Sequence, residues 1–147
     1  FYRFILDEWK AGKTLTSPFY LGGLDQINPN PNVNYSKPIL ILVNELSVSC
    51  ADFFPAILQD NKRAIVMGGK TSGAGGFLCS ATFPNLFDLK MLRYTGSIAL
   101  RIDKSPIENL GVTPDIPYRV TESDLQNSYF DYSKKINETI LEMCDNR

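Results

Sequence analysis

The sequence predicts an α/β fold, and three stretches carry the prediction. Ile39 to Val43 is a short apolar run rich in Ile, Leu and Val, closed by Asn44, which reads as a strand buried on both faces. Phe53, Phe54, Ile57 and Leu58 follow at helical spacing. Ala64 to Met67 is a second buried-type strand that runs into Gly68-Gly-Lys-Thr-Ser-Gly-Ala-Gly-Gly76. Strand, helix and strand in that order imply parallel strands with helices packed against them.

Between the first strand and its helix lie Ser47, Ser49 and Cys50. A hydroxyl on such a turn sits at the first amides of a helix, where unpaired N–H groups and the helix dipole favour negative charge. Acyl-transfer chemistry needs that environment for its oxyanion. Pro55 deep in a helix would remove a hydrogen bond and clash with the preceding turn. The reading that accommodates it starts the regular helix near Asp52, with Asp52 as N-cap and Ser49 and Cys50 on a tight connection before it.

In chain order, Phe1, Phe4, Ile5 and Trp9 mark one face of a short helix that ends before Gly12. Thr14 to Ser36 reads as an extended connection, with Asn-Pro-Asn-Pro-Asn at 28 to 32 and a short strand near Tyr20. After the glycine-rich loop, β-like segments run from Phe77 to Phe83, Leu86 to Tyr94 and Ser97 to Ile102, separated by turn signals at Pro84-Asn85 and at 103–106. Ile107 to Val112 looks like an exposed connection. Leu125, Tyr129, Tyr132, Ile136, Ile140 and Met143 form one stripe of a C-terminal helix packed on the sheet, with Ser123 and Gln126 as its capping box. The chain thus divides into an N-terminal helix and loop (1–36), a core (37–124) and a C-terminal helix (125–147), all within one domain.

Composition excludes several functions. The 147 residues carry a formal net charge of −1, which gives no reason to expect nucleic acid or an anionic membrane as partner. No apolar run is long enough to cross a bilayer. Cys50, Cys79 and Cys144 are too few and too scattered for a metal cluster or a disulfide framework, and read as free thiols with Cys79 and Cys144 in or near the core. No metal or cofactor is expected. Gly69-Lys70-Thr71 resembles the end of a phosphate-binding loop, but that motif needs a glycine where Ala64 stands, and Ser-Gly-Ala-Gly-Gly cannot start a good helix. The glycines instead allow close backbone approach, either to substrate or to the Ser49 turn.

Either Ser49 or Cys50 at a helix start is a candidate nucleophile, and each needs a base. The chain has no histidine. The base is therefore a lysine of this chain or a histidine from elsewhere. A chain that opens on Phe1 and has no histidine is expected to be a piece of a larger protein.

These residues resemble peptidase family S41, the C-terminal-processing or tail-specific proteases. The matching features are the apolar strand, Ser47-x-Ser49, Asp52, Leu58-Gln-Asp60, Arg63-Ala64 and Gly68-x-x-Thr71-x-Gly73-x-Gly75. Tail-specific members use a Ser–Lys dyad with the lysine inside the glycine loop, and Ala74 occupies that position here. The resemblance is nearer to the group of the chlamydial protease-like activity factor. It is carried by Ser49-Cys-x-Asp-x-x-Pro-Ala-Ile-Leu, Asp60-Asn61, Thr71-x-Gly-Ala-Gly-Gly-Phe77, Phe83-Pro-Asn85, Thr95-Gly-Ser-x-Ala99 and Ile107-Glu-Asn-Leu-Gly-Val112.

The resemblance implies a ClpP/crotonase-like core and a secreted or extracytoplasmic serine endopeptidase with a Ser–His–Glu triad. The nucleophile maps to Ser49 and the glutamate to Glu108, with the histidine on an N-terminal fragment that stays associated after cleavage. It also implies a homodimer and protein or peptide substrates. Cys50 is expected to give an oxyanion amide, and Gly73, Ala74 and Gly75 to line the oxyanion or substrate site. A non-catalytic scaffold that kept the fold, and a crotonase-type acyl-CoA enzyme, are the two other readings of the same residues.

Overall fold

A computed structural model describes residues 1–19, 30–82 and 90–145. The strand expected near Tyr20, the turn at Pro84-Asn85 and the start of the Leu86 segment lie outside the described residues. The chain divides into two compact units, Phe1–Ser36 and Lys37–Arg147.

In the first unit, helix α1 spans Tyr2–Lys10. Beyond its end, Lys13 donates to Glu8 at 2.8 Å and the Ser17 amide donates to the same carboxylate at 2.7 Å. The Lys13 bond, then the Ser17 amide, holds the Glu8 carboxyl down at about 2. Phe4 stacks on Phe19 with ring centroids 4.5 Å apart.

The second unit is built on a βαβ unit, as the alternation predicts. Strand β1 (Leu40–Val43), helix α2 (Cys50–Asp60) and strand β2 (Ile65–Gly68) follow one another. β1 and β2 pair in parallel, with Leu40 opposite Ile65 and Val43 opposite Gly68. A two-residue strand, β5 (Ile116–Pro117), pairs in parallel with the other side of β2, so the sheet order is β1-β2-β5. β2 is the central strand, and Val66 and Met67 are completely buried. Each such side chain stabilises the fold by about 1.5–3 kcal/mol relative to exposure. β1 is an edge strand among the described residues, and Leu42 is exposed. The expectation of burial on both faces is therefore not met for β1.

Strands β3 (Gly76–Ala81) and β4 (Leu92–Ile98) form a separate antiparallel pair, with an irregularity between Phe77 and Leu78. Phe77, Leu78, Leu92, Tyr94 and Ile98 on this pair are all exposed. So are all three cysteines. The reading of Cys79 and Cys144 as core thiols is thus corrected. Cys79 lies on β3 and Cys144 on the last turn of the C-terminal helix, and both are exposed among the described residues.

The core is formed by Val43, Ala56, Val66, Ile107 and Val112, with Ile41, Phe53 and Ala99 packed against it. Two of these, Ile107 and Val112, come from the segment read as an exposed connection. The polar and glycine residues between them form a loop whose two ends are anchored in the core.

The C-terminal region departs from expectation in its start and its stripe. Helix α3 covers Glu122–Gln126, and helix α4 covers Phe130–Asp145. Ser128 and Tyr129, both at positive φ, separate them. The N-cap is Thr121, not Ser123, and Asp124 replaces Gln126 as its reciprocal partner. The Asp124 carboxylate is buried and accepts from the Thr121 amide (2.8 Å), the Thr121 hydroxyl (2.8 Å), Tyr118 and the Tyr132 amide (3.0 Å). The Thr121 amide leads in holding its carboxyl below the usual range. Of the predicted stripe, Leu125, Tyr129 and Ile140 are exposed, while Thr139 is buried. The inward face runs through Tyr132, Ile136, Thr139 and Met143.

Candidate active site

The connection after β1 is a hydrogen-bonded knot. The Ser47 amide donates to the Asn44 carbonyl (2.9 Å), and the Asn44 amide donates to the Ser47 hydroxyl (3.1 Å). Two residues on, Ser49 takes φ 60° and ψ −113°. A non-glycine residue there costs of the order of 1–3 kcal/mol and persists only where its surroundings enforce it. Helix α2 begins at the next residue, Cys50, so the N-cap, Ser49, lies three residues earlier than the sequence reading placed it, and Asp52 is inside the first turn rather than the cap.

The same Ser/Thr-x-x-Asp pattern occurs at Thr121–Asp124, and the comparison is instructive. Thr121 has the extended conformation of an N-cap, and its hydroxyl accepts from the Asp124 amide at 3.1 Å. At Ser49 no side-chain cap hydrogen bond forms. The first amide of α2, that of Cys50, has no intrahelical acceptor by position and no acceptor among the described residues. A strained serine between strand and helix, beside a free helix-start amide, is the local geometry of a nucleophile elbow.

Asp52 ties this turn to the glycine loop. Its side chain is completely buried. It accepts from the amides of Ser49 (2.7 Å), Gly73 (2.8 Å) and Ala74 (3.1 Å). The Ser72 amide adds a bond to the Ser47 carbonyl at 3.0 Å. In this structure the amides of Gly73 and Ala74 therefore donate to Asp52. Of the expected set, the amides of Cys50 and Gly75 have no acceptor among the described residues.

The other side of the loop faces the Ile107–Val112 segment. The Asn109 amide donates to the Gly73 carbonyl (2.7 Å), and the Val112 amide to the Thr71 hydroxyl (2.7 Å). The approach is so close that a Cβ on Gly73 would lie 2.8 Å from the Gly111 nitrogen, and one on Gly75 would lie 2.4 Å from the Ile107 Cβ. Gly75→Ala is expected to destabilise the protein by about 1–3 kcal/mol, because the atom it would strike is fixed to buried backbone. A melting temperature within a degree of the parent's would show that the segment yields instead.

Glu108 sits on that segment, half-buried. Its carboxylate accepts from the Thr95 hydroxyl at 3.2 Å, and its other oxygen lies 3.2 Å from where a Cβ on Gly76 would stand. Ser49 and Glu108 thus belong to segments on two sides of one loop, linked through Asp52, Gly73 and Asn109. A cleft of about 540 Å³ has Val43, Asn44, Ser47, Gly69 and Tyr118 among its lining, while Ser49, Cys50 and Glu108 lie outside it. It opens at the carboxyl ends of β1, β2 and β5, where open α/β sheets commonly bind ligands.

No side chain among the described residues hydrogen-bonds the Ser49 hydroxyl. No group of His, Cys, Asp and Glu residues that could hold a metal occurs among them. No helix among them is long and apolar enough to cross a membrane. The roles of Asp52 and Thr95 were not read from the sequence. Only the Ser-x-x-Asp spacing hinted at the first, and nothing local signals the second.

A strained serine thus lies at a strand–helix turn, backed by a glycine loop, and the chain belongs to Peptidase family S41, whose sequence profile matches residues 9–118. Proteins of Chlamydia muridarum and Chlamydia trachomatis serovar D are 44% identical over 144 residues and 42% identical over 148, covering 97% and 99% of this chain. A carboxy-terminal-processing protease of Bartonella bacilliformis is 31% identical over 105 residues, 71% of this chain and 23% of that protease. The structure of mature CPAF complexed with lactacystin superposes with a TM-score of 0.88 at 41% identity, covering 99% of this chain and 28% of the other. The resemblance read from the sequence, to S41 and within it to the chlamydial group, holds. The chain spans about a quarter of the length of its chlamydial relatives, 24% and 25%.

Proposed function

We propose that this chain is the nucleophile-bearing, C-terminal part of an S41 serine endopeptidase with a ClpP/crotonase-like core. Ser49 attacks the scissile carbonyl. A histidine from a segment outside these 147 residues takes the Ser49 proton and then gives it to the leaving amine. Glu108 orients that imidazole and stabilises its charged form. The Cys50 amide donates to the oxyanion of the tetrahedral intermediate, which collapses to the Ser49 acyl-enzyme as the amine leaves; water, giving its proton to the histidine, then attacks the ester, and the carboxylic acid and free Ser49 hydroxyl are released.

The observation that carries this reading is the φ of +60° at Ser49 next to a helix-start amide with no acceptor. S41 membership and the likeness to carboxy-terminal-processing proteases support the reaction class. The absence of histidine from the chain supports a base supplied from elsewhere. The proposed histidine segment and its continued association with this one extend the same argument, and protein or peptide substrates follow from the chemistry.

The test is casein hydrolysis. The 147-residue chain alone is expected to be inactive, and the full-length protein active. Cleavage by the isolated chain that disappears in Ser49→Ala would locate the base within it and overturn the borrowed histidine.

A further inference from the structure

Asp52 is a completely buried carboxylate, and no cation is bonded to it. All three of its recorded partners are backbone amides, of which one belongs to Ser49 and two to the glycine loop. Helix capping explains only the first. A carboxylate that merely closed the helix would have no reason to reach Gly73 and Ala74, 21 and 22 residues further along the chain. The strain at Ser49 needs enforcing contacts: its carbonyl accepts from the Asp52 and Phe53 amides at 2.7 and 3.0 Å, and its amide donates to the Asp52 side chain at 2.7 Å, the contact that also reaches the glycine loop.

We infer that Asp52 is a positioning residue of the hydrolytic site: it clamps the strained Ser49 backbone to the glycine loop, and so holds the hydroxyl and the Cys50 amide in reactive register with the Glu108 segment. This rests on the reading of Ser49 as nucleophile. One oxygen, Oδ2, receives both the Ser49 and Ala74 amides, and Oδ1 receives Gly73. An asparagine has the same shape but only one acceptor atom, and its NH2 group would confront an amide N–H. Asp52→Asn must therefore release either Gly73 or the Ser49–Ala74 pair. Releasing the Ser49–Ala74 pair frees the Ser49 amide from the loop, and releasing Gly73 leaves Ala74 as the loop's one bond to the carboxamide; either change weakens the coupling between elbow and loop, with little change in volume.

The test uses the full-length protein and a fluorophosphonate probe, with the folded fraction of each variant measured by thermal melting. Asp52→Asn is expected to slow labelling of Ser49 per folded molecule by about ten- to a hundred-fold, the usual scale for lost charge-assisted hydrogen bonds. Peptide turnover should fall in kcat with KM nearly unchanged, because substrate binding surfaces are untouched. A merely structural role would lower the melting temperature and leave the rate per folded molecule as it was, which would overturn the inference. Failure of the unsubstituted protein to label at Ser49 is a different result: it removes the nucleophile reading and the positioning role together. A second measurement needs no variant to fold. In the parent protein, the amides of Ser49, Gly73 and Ala74 should exchange hydrogen with a common opening rate, since one carboxylate holds all three. Independent exchange of the Ser49 amide and the two loop amides would also overturn the clamp.

Discussion

Ser49→Ala in the full-length protein is expected to reduce peptide hydrolysis by about 10⁶-fold in kcat, the scale seen when a serine nucleophile is removed and only binding and oxyanion stabilisation remain. It should also abolish fluorophosphonate labelling. The fold should survive, since the hydroxyl makes no side-chain cap hydrogen bond and the site is not part of the buried core. The stability change should fall within about 0.5 kcal/mol. Ser49→Gly separates the two roles of this position. Glycine adopts positive φ without steric cost, so this variant should be as inactive as the alanine but melt higher, having lost the strain and not the turn. Residual activity above about 1% in Ser49→Ala would transfer the nucleophile to another group, and the neighbouring Cys50 thiol would be the first to examine by Cys50→Ala.

What the sequence reveals about this site depends on how local each interaction is. The strand–turn–helix from Ile39 to Asp60 is legible because its signals lie within a few residues of one another: an apolar run, small polar residues, then apolar positions at helical spacing. The exact start of α2 is less so. Asp52 looks like a good N-cap from its own neighbours, and only its bonds to Gly73 and Ala74 explain why it occupies the first turn instead. Ile107 to Val112 reads as an exposed connection for a related reason. Its Asn, Gly and nearby prolines are turn signals, whereas the burial of Ile107 and Val112 depends on Val43, Ala56 and Val66, residues far away in the chain. The same limit applies in reverse to Cys79 and to Leu125 and Ile140. Their apolar surroundings in sequence suggest burial, but all three are exposed among the described residues. The role proposed for Glu108 rests on the family resemblance, since a glutamate in a polar loop carries no signal of its own.

Glu108→Gln is the second large effect expected. Glutamine keeps the size and the acceptor that Thr95 uses, so stability should change little. It cannot stabilise an imidazolium, and it can present an NH2 group to the histidine N–H that the carboxylate would accept. The imidazole then loses its orientation and the tautomer that leaves Nε2 free to take the Ser49 proton. By analogy with the acid of other triads, kcat should fall by about 10²–10⁴-fold with KM nearly constant. Raising the pH should recover part of the loss if hydroxide takes over the role of the base. Labelling of Ser49 should slow in parallel, because it depends on the same proton transfer. The contrast with Asp52→Asn locates each carboxylate. Glu108→Gln acts on the base and should change the pH profile of kcat, whereas Asp52→Asn acts on the serine backbone and should lower the profile without changing its shape. If Glu108→Gln retains full kcat, the histidine is oriented by another group, and the Ser–His–Glu assignment gives way to a serine–histidine pair within the same elbow.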